Sequence, residues 1–179
     1  MNQYKPLLLF LLRFLGSYIV MLLIYNWYLS LYLPNGTPDP FTRWNSDVAS
    51  KIFNLIGYKS ESIHAGKENY MRLAVDGKFA SIVNEGCNAV SVLIIYISFI
   101  FAFYTKFKQV LIYLAASLIG LIIMNVFRIV FLTYIYRFLP EYSKIGHDYL
   151  FPAIIYGSIV ILWIIWIKFF VFKKNKNAE

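Results

Sequence analysis

The chain has 179 residues, 60% of them hydrophobic and 20% aromatic, and its mean hydropathy of +0.61 exceeds what a soluble core needs. Its net charge of +8 comes from 17 Lys and Arg against 9 Asp and Glu. The excess sits at Lys106 and Lys108 and at Lys173, Lys174 and Lys176 rather than over a binding face, which excludes nucleic acid as its cause, and a single cysteine excludes an internal disulfide.

Four apolar runs are expected to cross a bilayer, so the fold class is an all-α integral membrane protein with a small extracytoplasmic region. The spans are residues 7–33, 87–104, 110–135 and 149–172, judged against a requirement of about 20 apolar residues. The first run, interrupted by Arg13, is too long for a signal-peptide core and lacks a small-residue cleavage site, so it is read as a retained helix.

Residues 34–86 form an outer loop. After the breaker Pro34-Asn35-Gly36-Thr37-Pro38-Asp39-Pro40, apolar residues fall at Phe41, Trp44, Val48, Ile52, Leu55 and Ile56, one face of a helix that Gly57 stops. That helix either lies on the outer bilayer surface or packs on the bundle. Asp76-Gly77-Lys78, flanked by residues 71–75 and 79–83, signals a β-hairpin that delivers the chain to Cys87.

The second run is the shortest and reaches spanning length only with Cys87 and Asn88 at the membrane boundary. Lys106 and Lys108 in the next turn, and the lysines of the disordered tail 173–179, mark the cytoplasmic side. The outer segments are balanced: Arg43, Lys51, Lys59, Lys67, Arg72 and Lys78 stand against Asp39, Asp47, Glu61, Glu68, Asp76 and Glu85, and Arg137 and Lys144 against Glu141 and Asp148. Both termini are therefore expected inside. Trp27, Tyr28, Tyr32, Tyr104, Tyr134, Tyr136, Trp163 and Trp166 gather near span boundaries, where aromatic side chains anchor.

Depth then brings three chemically capable residues together. Arg128 lies 18 residues beyond Val110, or about 27 Å at about 1.5 Å per residue, near the outer edge of a hydrocarbon core about 30 Å thick. Cys87 opens the second span at that face and His147 directly precedes the fourth. Asn125 and Arg128, three apart, share a helix face and make a polar stripe. A thiol at a helix start beside a cation is in surroundings that lower its pKa. His64, the other histidine, lies in a polar stretch without a second ligand at metal spacing and is read as surface, so neither metal nor cofactor is expected.

Glu85-Gly86-Cys87, Asn125-Val126-Phe127-Arg128-Ile129, and Gly146-His147 ahead of the last helix resemble the Cys, Arg and His blocks of the exosortase/archaeosortase family. The resemblance covers residues 84–157. It departs from the family pattern at Asn88-Ala89, where many members have Ser-Gly, and the chain has fewer helices than most bacterial members.

The resemblance implies a membrane-embedded cysteine transpeptidase in the bacterial inner (plasma) membrane with its site facing outward. Cys87 would be the nucleophile that forms a thioester, Arg128 the oxyanion stabiliser and His147 the acid and base. Asn125 would orient Arg128, and Glu85 or Asp148 would hold His147. Implied partners are secreted proteins ending in a motif, an apolar helix and a basic tail, with a lipid or glycan nucleophile, or water, as acceptor. The residues alone leave two alternatives open: a non-catalytic membrane scaffold or assembly factor whose Arg128 meets lipid headgroups, and a membrane cysteine protease that only hydrolyses.

Overall fold

The computed structural model describes residues 4–103 and 106–171. The chain is mostly helical, and three helical stretches, Lys5–Asn35, Phe107–Phe138 and Pro140–Val171, are long and apolar enough to cross a membrane. The first contains helix α1, Lys5–Ser30, opened by Pro6 in the first turn, where a missing N–H costs nothing.

Helix α2, Pro40–Leu55, starts at Asp39, whose carboxylate accepts from the N–H groups of Phe41 and Thr42 at 3.0 and 3.1 Å. Of the two placements left open by its periodicity, α2 packs on the bundle. It does so with an unexpected face. Thr42, Asn45, Ser46, Ala49, Ser50 and Phe53 are buried, whereas the apolar Trp44, Leu55 and Ile56 are exposed. Thr42, Asn45 and Ser46 are buried because polar side chains distant in sequence meet them, while Ala49 and Phe53 further along pack on apolar partners.

A small sheet joins the otherwise helical chain, extending the expected hairpin by one strand. Strands β1 (Ser60–His64), β2 (Met71–Val75) and β3 (Lys78–Val83) form a three-stranded antiparallel sheet in that order. β2 and β3 meet at Asp76-Gly77, both with positive φ (52° and 69°), the backbone that a tight two-residue hairpin requires. β1 carries no alternating apolar pattern and is held by pairing to β2. Its last residue, the half-buried His64, uses Nε2 to meet the carbonyls of Gly36 (3.2 Å) and Glu68 (2.9 Å), so its ring ties the segment that follows α1 together.

Helix α3, Val90–Ala102, has 13 residues, about 20 Å at about 1.5 Å per residue. It is shorter than the expected span over 87–104 because Glu85–Cys87 forms a 3-10 turn and Ala89 takes a left-handed φ of 63°; Tyr104 lies outside the described residues. Helix α4, Phe107–Phe138, has 32 residues and exceeds the expected 110–135 at both ends. The last run also starts earlier than 149. A single turn α5 (Ser143–Ile145) and a π-helical turn (Gly146–Leu150) lead into α6 (Phe151–Trp166). The tail 173–179 lies outside the described residues.

α4 organises the rest. Its N-terminal half packs with α3 and α6 around Tyr96, Ile100, Leu114, Ile159 and Trp166. Its C-terminal half carries α2 and the sheet on Ala49, Leu73, Val83 and Ile129, and on Phe53 and Val75. Cys87 lies at the junction of these two halves.

Candidate active site

Cys87 ends the 3-10 turn, with its N–H donating to the Asn84 carbonyl at 2.9 Å, and its side chain is half-buried. The first free N–H of α3, that of Val90, is met by Asn88 Oδ1 at 2.9 Å. The helix starts past Cys87, with Ala89 at its N-cap position and the preceding Asn88 supplying the acceptor, so the expectation that Cys87 itself opens the helix is corrected. The cause is Ala89, whose left-handed backbone delays the helix.

Asn125 on α4 is 1% exposed and makes three contacts. Its Nδ2 donates to the Cys87 carbonyl (3.0 Å) and to Asn45 Oδ1 (3.3 Å), and its Oδ1 accepts from Arg128 Nη1 (3.3 Å). One amide thus ties the backbone of the thiol residue to the guanidinium one turn away. Cys87 and Arg128 cannot drift independently.

His147, expected directly ahead of the last span, lies in the π-helical turn that leads into α6. Its Nδ1 pairs with Asp148 Oδ1 at 2.8 Å, with both side chains about half exposed. Asp148 is therefore the carboxylate at this imidazole; Glu85 makes no hydrogen bond to it among the described residues. Gly146 explains how the turn reaches α4. A Cβ there would stand 3.1 Å from Ile135 Cδ1 and 3.7 Å from Leu132 Cδ2, so only a residue without a side chain allows this approach unaided.

The three residues line one pocket of about 70 Å³, with Ser81, Ile82 and Val83 of β3 and Ile129, Leu132, Thr133 and Tyr136 of α4. Ser81 and Thr133 share a buried hydroxyl–hydroxyl bond of 2.7 Å that fixes the sheet to α4 beside it. Arg128 also borders an apolar cavity of about 340 Å³ between α4 and α6, lined by Phe127, Phe131, Phe151 and Ile154 among others.

Sequence reasoning missed Ser81, Thr133 and Tyr136, the last read only as an interfacial anchor. The spacing 128, 132, 136 puts Tyr136 on Arg128's face of α4 and was the signal available. Ser81 had none, because the sheet brings it there.

A thiol, an imidazole whose Nδ1 meets a carboxylate and whose Nε2 has no hydrogen-bond partner among the described residues, and a guanidinium at one pocket form a set of groups suited to acyl transfer. A model described as transmembrane exosortase (Exosortase_EpsH) matches residues 6–170, nearly the whole chain. The protein belongs to the transmembrane exosortase family. No curated protein and no solved structure is significantly similar to it.

Proposed function

We propose that this protein is a membrane cysteine transpeptidase of the bacterial inner membrane that removes a C-terminal sorting signal from secreted proteins at the outer face. Four crossings are part of the reading. α3 completes the fourth, with the Cys87 turn at the outer boundary, Lys106 and Lys108 inside, and both termini cytoplasmic. The observation that carries the proposal is the shared pocket of Cys87, Arg128 and His147.

His147 Nε2 takes the thiol proton as Cys87 Sγ attacks the peptide carbonyl. The tetrahedral oxyanion is stabilised by Arg128, whose guanidinium borders the pocket. The intermediate collapses to a thioester, and the amine of the departing tail takes the proton from His147. An acceptor hydroxyl or amine of a lipid or glycan, or water, then gives a proton to His147 and attacks the thioester. Cys87 leaves and is reprotonated, closing the cycle. Asp148 holds Nδ1, so that Nε2 is the nitrogen facing this traffic.

The test is processing of a secreted reporter ending in a motif, an apolar helix and a basic tail, with the full-length protein in membranes. Cys87→Ala is expected to abolish cleavage while the protein still inserts and accumulates. Cys87→Ser is expected to be nearly as damaged, since a hydroxyl is far less ionised than a thiol. Undiminished cleavage by Cys87→Ala overturns the enzyme reading.

A further inference from the structure

The buried polar face of α2 has no place in the reaction just described, yet it ends at Cys87 from both sides. On one side stands Asn88, the next residue, 1% exposed. Its Oδ1 must point to the Val90 N–H, because only oxygen can accept there. Its Nδ2 therefore points to α2 and α1, donating to Thr42 Oγ1 at 3.1 Å and Tyr25 Oη at 3.2 Å. Thr42 can accept that bond because its own proton goes to the Asp39 carboxylate. Asp39 is wholly buried and also receives the Phe41 and Thr42 N–H groups and the Tyr28 hydroxyl.

On the other side stands Asn125. Its Nδ2 faces the Cys87 carbonyl and its Oδ1 faces the Arg128 donor, so its orientation is also fixed. The remaining Nδ2 bond goes to Asn45 Oδ1 at 3.3 Å, and Asn45, itself fully buried, is locked by donating to the Phe41 carbonyl at 2.9 Å. Thr42 and Asn45 are three apart on one face of α2. Every donor and acceptor in this set has a single consistent direction. A helix held only by apolar packing would need none of them.

We propose that Thr42 and Asn45 are positioning residues: through Asn88 and Asn125, α2 fixes Cys87 against Arg128. The effect on catalysis rests on the proposed function; the effect on Cys87 geometry does not. Bonds buried in a low-dielectric interior are strong and mutually reinforcing, and a misplacement of about 1 Å at a reacting centre costs about 100-fold in rate.

The experiment uses full-length protein and two pairs of variants. Thr42→Val and Asn45→Leu keep volume but lose the acceptor; Thr42→Ser keeps the hydroxyl and Asn45→Gln keeps the carboxamide, with its acceptor and its donor. Reporter turnover, the unfolding midpoint and the rate of Cys87 alkylation by iodoacetamide are measured for each, the last reporting on the lone thiol without any need for catalysis. Thr42→Val and Asn45→Leu are expected to lower kcat by about 30- to 100-fold with KM little changed and to alter the alkylation rate, whereas Thr42→Ser stays near wild type in both and Asn45→Gln is clearly less impaired than Asn45→Leu. Normal kcat and alkylation in accumulating Val and Leu variants would overturn the proposal, as would Ser and Gln variants as impaired as their apolar counterparts. Should the Val or Leu variant fail to accumulate, Thr42→Ala and Asn45→Ala make the same comparison. If Cys87→Ala leaves cleavage intact, the proposed reaction falls, and alkylation alone decides whether α2 positions the turn.

Discussion

Replacing Arg128 with lysine separates a catalytic guanidinium from a membrane anchor. The guanidinium has two tasks at once: Nη1 is held by Asn125 Oδ1 at 3.3 Å, and the side chain borders the Cys87–His147 pocket. A planar fork of five donors can serve both directions, whereas a compact ammonium on a flexible stem that keeps Asn125 gives up the geometry toward the pocket. Loss of one oxyanion donor typically costs about 100- to 1,000-fold in rate, or about 2.7–4 kcal/mol of transition-state stabilisation. Arg128→Lys is therefore expected to cut turnover of the tailed reporter by at least about 100-fold at normal protein level.

Arg137→Lys is the control. Arg137 is the penultimate residue of α4; its Nε meets the Val75 carbonyl at 3.2 Å and its guanidinium lies over the Phe138 ring, away from the pocket. It is expected to change turnover little. A headgroup anchor needs only a positive charge on a long stem, so an Arg128→Lys variant as active as Arg137→Lys would refute the catalytic role and favour a scaffold.

Two further outcomes follow from the geometry. Asp148→Asn is expected to reduce turnover, but by about 10-fold rather than the roughly 10⁴-fold seen when a buried triad carboxylate is replaced, because Asp148 is 44% exposed and water substitutes for part of its role. Glu85→Gln should be close to silent, and a larger loss at Glu85 than at Asp148 would reverse the assignment. On a Cys87→Ala background, Lys67→Cys is expected to react with an impermeant maleimide in intact cells and Lys108→Cys only after permeabilisation; labelling of position 108 from outside would invert the topology.

What could be read from the sequence depended on how far each signal reaches. Three of the four expected spans needed only composition, and the meeting of Cys87, Arg128 and His147 at one pocket was expected from their positions along the apolar runs, without knowledge of contacts. The Asp76-Gly77 turn was legible because two positive-φ residues suit a tight hairpin. β1 was not, since Ser60–His64 owes its strand to a partner rather than to its own pattern. The length of α3 also escaped, because one left-handed alanine moved the helix start past the cysteine.

The packing of α2 was the least legible feature, and the reason is physical. Hydrophobic periodicity assigns the apolar stripe to the core, but here Thr42 and Asn45 are buried because Asn88 and Asn125, distant in sequence, complete their hydrogen bonds. A polar face can be the inward face only when partners of matching direction are already waiting there. Sequence shows the donors and acceptors but not which ones meet. Asn125 illustrates the difference. The spacing of three tied it to Arg128, and this contact is present, yet its bond to the Cys87 carbonyl crosses from α4 to the turn before α3. That second bond makes the thiol and the guanidinium one unit, so Asn125→Ala should resemble loss of the pair's geometry rather than loss of one donor.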